Sequence, residues 1–222
     1  MRALYHLWLS PACRQVRILL AEKSLDFELV IEREWERREG FLKLNPAGDV
    51  PVLVEADGHV IAGGAVICEY LDEAYPEPPM IGDGAIARAE TRRLVAWFSG
   101  KFRNEVTAYI LSEKFDKRFL GRGPPDTAAI RAGKQNIGYH LDYVTYLSER
   151  RRWLSGDDVS LADIAAAAQL SALDYLGDVP WDEYPAAREW YARFKSRPSV
   201  RPILADHIPG LPPPKAYADL DF

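Results

Sequence analysis

One short constellation near the N-terminus could do thiol chemistry. Ser10-Pro11-Ala12-Cys13 sets a hydroxyl and a thiol three residues apart where a helix should begin. Ser is a favoured helix cap, and Pro a favoured first helical residue, because the N–H it lacks would have no partner there anyway. The dipole at that end favours an anion, so Ser10 could steady a thiolate and Cys13 could become one. The ordinary alternatives are that Ser10 merely caps its helix and that Cys13 is a small buried side chain. With no sulfur at position 10, dithiol exchange through this turn cannot run in the usual way. The four histidines, His6, His59, His140 and His207, stand apart without metal-ligand spacing, and read as structural or surface groups. Neither a Gly-rich phosphate loop nor a nucleophile elbow occurs. The sequence therefore offers no metal site and no call for a cofactor.

Other residues suit recognition better than catalysis. Trp35 lies inside the charge run Glu32-Arg33-Glu34-Trp35-Glu36-Arg37-Arg38-Glu39. Such a run is ordinarily a solvated face, and a Trp within it either packs inward or meets a partner, being enriched among binding hot spots. Glu113, Lys114, Lys117 and Arg118 beside Phe115 and Phe119 form a second mixed patch, where the plain alternative is a solvated helix end. The C-terminal stretch Leu211-Pro212-Pro213-Pro214-Lys215-Ala216-Tyr217-Ala218-Asp219-Leu220-Asp221-Phe222 combines proline stiffness with acids and three large apolar side chains, Tyr217, Leu220 and Phe222. Stiffness lowers the entropy lost on binding, so the segment reads as an extended recognition motif rather than a passive end.

Alternating strand and helix signals position the first of these groups. Leu4-Tyr5-His6-Leu7 is a short apolar run before Ser10, and Val16, Leu19, Leu20 and Lys23 continue at helical spacing. Phe27, Leu29 and Ile31 alternate as a strand with one buried face. Val52-Leu53-Val54 and His59-Val60-Ile61 flank Asp57-Gly58, a hairpin signal. A helix from about Gly64 to Ala74 ends at Tyr75-Pro76. Residues 77–84 are Pro- and Gly-rich and read as a stiff linker. Beyond it the chain is helical: Leu94, Trp97, Phe98, Phe102, Val106 and Tyr109 form one apolar stripe, and Ile130, Ile137, Leu141 and Val144 a second. Ser160-Leu161-Ala162-Asp163 opens a third helix, and Ala187, Trp190, Tyr191 and Phe194 mark a fourth. Glu113 to Asp126 reads as a loop. The expected division is an α/β domain over 1–76, the linker 77–84, an all-helical domain over 85–208 and an extended tail over 209–222.

Bulk properties narrow the classes. The chain has 222 residues, 48% hydrophobic and 27% charged, with ample material for a core. A net charge of −5 gives no basic footprint for nucleic acid or an anionic membrane. No apolar stretch approaches membrane-spanning length and the start lacks signal-peptide character. Two cysteines form no disulfide framework. A cytoplasmic protein is expected.

Taken in order, Ser10 to Arg17, Asn45-Pro46-Ala47-Gly48-Asp49-Val50-Pro51-Val52-Leu53, Glu69 to Pro76, and Ser160 to Ala168 resemble the glutathione transferase superfamily over nearly the whole chain. The resemblance implies a thioredoxin-like domain followed by a helical domain, usually as a homodimer. It implies a cis Pro51, with the backbone around Val50 and Pro51 pairing with the cysteinyl part of glutathione. It also implies that Ser10 would hydrogen-bond the glutathione thiolate. Gly63 and Gly64 stand where catalytic relatives carry an acidic residue and a serine for the γ-glutamyl group. Backbone N–H groups remain there, but the charge-assisted bonds, worth about 1.5–3 kcal/mol each, are lost. With the Trp-bearing charge run and the tail, the chain is similar to the glutathione-transferase-like FtsZ-binding division proteins of alphaproteobacteria. That narrower resemblance implies a non-enzymatic homodimer, recruited to the division site, which binds, bundles and curves FtsZ filaments and promotes constriction. The contact surface implied comprises Trp35, Glu113, Arg118, Tyr217, Asp219, Leu220, Asp221 and Phe222. The alternative is a glutathione S-transferase that uses Ser10.

Overall fold

The computed structural model describes residues 1–220; Asp221 and Phe222 lie outside the described residues. Strand β1 (Arg2–His6) runs into helix α1 (Pro11–Glu22), and β2 (Phe27–Ile31) pairs parallel to β1. After helix α2 (Glu39–Leu44), strands β3 (Val52–Val54) and β4 (Val60–Ala62) form the expected hairpin, with Gly58 at φ 92° in its turn. β3 pairs antiparallel with β1, so the sheet order is β2-β1-β3-β4. Helix α3 (Gly64–Ala74) closes this first layer. β2 is an edge strand, and the face read as buried is not fully covered: Leu29 is 37% and Ile31 49% exposed.

The stretch read as a stiff linker is fastened to both layers. Met80 and Ile81 are buried. The Met80 N–H donates to Asp72 Oδ1 at 2.9 Å, and the Met80 carbonyl accepts from the Leu161 N–H at 2.8 Å. Lys23 Nζ donates to the Tyr75 and Pro78 carbonyls at 2.6 and 2.9 Å, tying α1 to the same stretch.

The first long helix departs from expectation. Helix α4 (Gly84–Ala96) continues through π-type turns (Trp97–Thr107), then α5 (Ala108–Leu111), further π-type turns (Ser112–Asp116) and α6 (Lys117–Leu120), so the Glu113 region is helical and not a loop. Wider turns also move the buried stripe. Leu94, Phe98, Phe102, Val106 and Ile110, each fully buried, follow one another at every fourth residue, while Tyr109 is turned out at 42% exposure. Helix α7 (Thr127–Ser148) packs closely here: a Cβ at Gly133 would come 2.9 Å from Ile110 Cγ1.

Helix α8 (Leu161–Tyr175) is buried along its whole length and opens on a capping box. Ser160 Oγ accepts the Ala162 N–H at 3.2 Å and Asp163 Oδ2 accepts the Ser160 N–H at 3.0 Å. Asp163 Oδ1 also accepts from the Leu154 N–H and from Trp190 Nε1 of α9 (Pro185–Lys195). One hydrophobic core joins Leu4, Val16 and Leu20 of the sheet layer to Ala165, Leu170 and Phe194 of the helical layer.

The C-terminal segment after α10 (Arg201–Leu204) corrects another expectation. The prolines keep it extended only as far as Pro214, after which Lys215–Ala218 form a 3-10 turn. Tyr217 is fully buried, in a cluster with Leu9, Tyr175 and Ile208, so it cannot serve as an exposed anchor. Its hydroxyl donates to the Ile203 carbonyl at 3.0 Å and accepts from Arg14 Nη1 at 3.0 Å. Arg14 is itself fully buried and also donates to the Trp8 carbonyl and Ser171 Oγ, while Arg17 forks onto Asp206 at 2.8 and 2.7 Å.

Candidate functional site

The candidate thiol-peptide residues do meet at one corner. Ser10 caps α1 and is half-buried; its Oγ accepts the Cys13 N–H at 3.4 Å. The N-terminus of α3 rests on the same turn, since a Cβ built on Gly64 would come 3.1 Å from Ala12 Cβ. Gly63 donates its N–H to the Pro51 carbonyl at 3.0 Å, and Val50–Pro51 is cis. Val50 and Cys13 share a small apolar cluster with Phe41 and Val52. Ser10, Val50, Pro51, Gly63 and Gly64 are thus neighbours, brought together by α1, the turn before β3 and the start of α3.

The chemistry available at this corner is limited. Burial pushes the Cys13 thiol up to about 12, so it stays protonated and is a poor nucleophile. Gly63 has φ 90°, a conformation that an L side chain adopts only under strain, and Gly64 has little room beside Ala12. Glycine is therefore fitted to the local backbone at both positions, and the absence of the two polar side chains has a structural counterpart. The Val50 backbone N–H already has an acceptor: Glu34 Oε1, at 2.6 Å. Burial raises the Glu34 carboxyl above its ordinary range, with the nearby Asp49 and Asp116 carboxylates acting in the same direction.

Glu34 was hidden in the charge run, where nothing in the sequence sets it apart from Glu36. That run is not uniformly solvated. Glu32 is fully buried and bound by Arg38, while Glu34 turns inward. Trp35 sits in the 3-10 turn Glu34–Glu36 and is 41% exposed, so it does not pack inward as a core residue.

The second candidate patch divides. Glu113 is almost entirely buried; its carboxylate accepts the Asp126 N–H at 2.6 Å and pairs with Lys117 at 2.5 Å. Those bonds fasten the end of the long helix to the start of α7 and fix the Glu113 carboxylate within the fold. Arg118 is exposed, and its Nη2 donates to the Gly210 carbonyl at 2.6 Å. Between α6 and the C-terminal segment lies a cleft of about 740 Å3 whose walls include Arg118, Tyr175, Leu211 and Pro213. Asp219 and Leu220 are exposed, Leu220 by 40%. Trp35 lies in the Glu34–Glu36 turn and Arg118 in α6. The assignments of Asp221 and Phe222 fall outside the described residues.

Among the described residues no group of three or more His, Cys, Asp or Glu could hold a metal ion, and no helix is long and apolar enough to cross a membrane. Compared with known proteins, residues 4–79 match the glutathione S-transferase N-terminal domain and residues 127–193 the glutathione S-transferase C-terminal domain. FtsZ-localized protein A of Caulobacter vibrioides is 50% identical over 224 residues, covering 100% of this chain and 98% of that protein. A crystal structure of a glutathione S-transferase from Rhodospirillum rubrum superposes with a TM-score of 0.97 at 57% identity, covering 100% of both chains. FzlA from C. crescentus superposes with a TM-score of 0.97 at 50% identity, covering 100% of this chain and 99% of that one.

Proposed function

This chain belongs to the glutathione S-transferase family, and on that premise we propose that it is a non-enzymatic homodimer that binds FtsZ filaments, bundles and curves them, and regulates constriction. The observation that carries the reading is the 50% identity with FtsZ-localized protein A along the entire chain. The Ser10 corner supports it from the other side. A protonated Cys13, glycines at 63 and 64, and a Val50 N–H already bound to Glu34 leave a glutathione molecule few partners.

The filament-binding surface is Trp35 together with Arg118, the exposed Asp219 and Leu220, and the two residues that follow them in sequence, Asp221 and Phe222. An exposed Trp and Leu supply apolar area, and the acids beside them add the charge complementarity that excludes wrong partners. Two copies related by a two-fold axis make the assembly bivalent, so one dimer can bridge subunits or filaments. Val66 on α3 and Ile86 on α4, 58% and 86% exposed, lie on helices joined by the Arg92–Glu69 ion pair and offer a face for the second copy. Such a protein works in the cytoplasm at the division site, without nucleic acid and without inserting into a membrane.

Cosedimentation of the purified protein with GTP-assembled FtsZ tests this directly. Enrichment in the pellet at micromolar concentration is expected; its absence would sink the reading. In the same assay Asp221→Lys should lose binding while sedimentation velocity still reports a folded dimer. Wild-type binding by that variant would remove the tail from the surface.

A transferase that uses Ser10 is the second reading, favoured by the 57% identity with the Rhodospirillum rubrum glutathione S-transferase. Calorimetric titration with glutathione separates the two. Tight binding together with conjugation of a generic aryl halide would establish the transferase.

A further inference from the structure

Glu34 makes a contact that neither reading requires. Val50 precedes β3, which starts at Val52, and its N–H finds its acceptor outside the sheet, in a side chain 16 residues away. A buried N–H left without an acceptor is costly, so the contact has a clear physical motive. Val50 shares its apolar cluster with Cys13, whose own N–H is bound by Ser10 Oγ, so the contact lies at the first turn of α1. Its own proton affinity is raised by burial, as expected of a carboxylate withdrawn from water.

The same residue opens the turn that carries Trp35. The 3-10 turn Glu34–Glu36 ends at Arg37 in a left-handed conformation, φ 48°, with the Arg37 N–H donating to the Glu34 carbonyl at 3.3 Å. The other side-chain restraints on residues 33–37 are exposed: Arg33 pairs with Glu36 at 3.0 Å, and Arg37 Nη1 donates to the Ala47 carbonyl at 3.2 Å. Exposed pairs of this kind hold little. The Glu34–Val50 bond is the anchor that reaches inside.

We propose that Glu34 is a positioning residue: by taking the Val50 N–H it occupies the backbone donor beside Ser10 and fixes the turn so that Trp35 faces solvent. A carbonyl or carboxylate of a peptide ligand would compete for that single N–H. Peptide binding at Val50 and presentation of Trp35 therefore exclude each other, and the old ligand position serves as a foothold for the recognition turn. The consequence for filament binding rests on the reading of Trp35 as an FtsZ contact; the positioning role does not.

The test uses the full chain with Glu34→Ala, Glu34→Gln and Glu34→Leu. Hydrogen exchange at the Val50 amide and the order of the Trp35 indole N–H, both by NMR, report on positioning without any partner. Glu34→Ala should speed Val50 exchange by tenfold or more and loosen the Trp35 indole. Glu34→Gln, whose amide oxygen still accepts, should stay within about threefold of the wild type. Glu34→Leu keeps a side-chain volume but no acceptor, and makes the same comparison if the Ala variant folds poorly. Unchanged Val50 exchange and Trp35 order in the variants without an acceptor would overturn the proposal. FtsZ cosedimentation then reads the consequence: Glu34→Ala should weaken binding about tenfold, and should add nothing in a Trp35→Ala background. Additive losses would show that Glu34 does not act through Trp35. Failure of the wild type to bind FtsZ would remove the functional reading alone, with the NMR result still deciding the role of Glu34.

Discussion

Replacing Tyr217 should unfold more of this protein than a change five residues before Phe222 ordinarily does. Its hydroxyl makes two buried hydrogen bonds, donating to the Ile203 carbonyl and accepting from the charged Arg14 guanidinium, each at 3.0 Å. Its ring stands edge-on to Tyr175 at 5.1 Å. Tyr217→Phe keeps the ring and leaves the Ile203 carbonyl and one Arg14 donor without this partner, which costs about 2 kcal/mol. Tyr217→Ala also removes the ring from a fully buried position, bringing the total to about 5 kcal/mol. At about 2–4 °C per kcal/mol for a chain of this size, the midpoints should fall by about 4–8 °C for Phe and about 10–20 °C for Ala. Thermal and urea unfolding, followed by circular dichroism and by tryptophan fluorescence together, measure both variants. Trypsin cleavage after Lys215 reports release of the segment itself. An exposed anchor would behave differently: Tyr217→Ala within about 0.5 kcal/mol of the wild type would refute the buried placement and the reasoning built on it.

His6 gives a pH test. It is fully buried, neither ring nitrogen has a hydrogen-bond partner, and burial lowers its pKa to about 4 from 6.5, helped by the Arg17 charge. The unfolded chain therefore takes up this proton first as pH falls, so stability declines from about pH 6.5 towards 4, by roughly 3 kcal/mol from this group. His6→Phe should flatten the pH profile by that amount, and parallel profiles would show that His6 is not withdrawn from water. Gly63→Glu combined with Gly64→Ser should cost about 2–3 kcal/mol from the strained φ and the approach to Ala12, without restoring micromolar glutathione binding in calorimetry, because Glu34 still holds the Val50 N–H. Micromolar binding would show that the donor is accessible after all. Trp35→Ala should leave the melting temperature nearly unchanged, since the side chain is 41% exposed, and should weaken FtsZ cosedimentation; a large loss of stability would discard the contact role.

Local chemistry made much of the fold legible. A Ser-Pro cap, an Asp-Gly turn and a Ser-x-x-Asp box each act within a few residues, and α1, the β3–β4 hairpin and α8 begin where those signals stand. The misreadings come from effects that no local window contains. A spacing of 3.6 residues places Tyr109 in the core, but the π-type turns after Trp97 widen the repeat and bring Ile110 inward. Alternation in Phe27, Leu29 and Ile31 marks a strand correctly and cannot tell an edge from a centre. The site was legible as a group of positions and not as a set of bonds. Ser10, Pro51, Gly63 and Gly64 do converge, yet the acceptor that reaches Val50 comes from an unremarkable Glu in a charged run. Tyr217 looked like an exposed anchor because the partner that buries it, Arg14, is 203 residues away.

That separation bears on how the protein is made. Arg14 lies in α1, which is made before the other helices described above, and its guanidinium can be withdrawn from water only once Ser171, Asp206 and Tyr217 have arrived. A nascent chain not yet extended to Tyr217 must leave that charge hydrated, and with it the seam between α1 and α8. The sheet layer, although made before the helical layer, then cannot settle on it until Tyr217 has been made, contrary to the usual N-terminal-first order. Chains stalled short of position 206 should keep α1 open to protease, and chains extended beyond Tyr217 and released should close it.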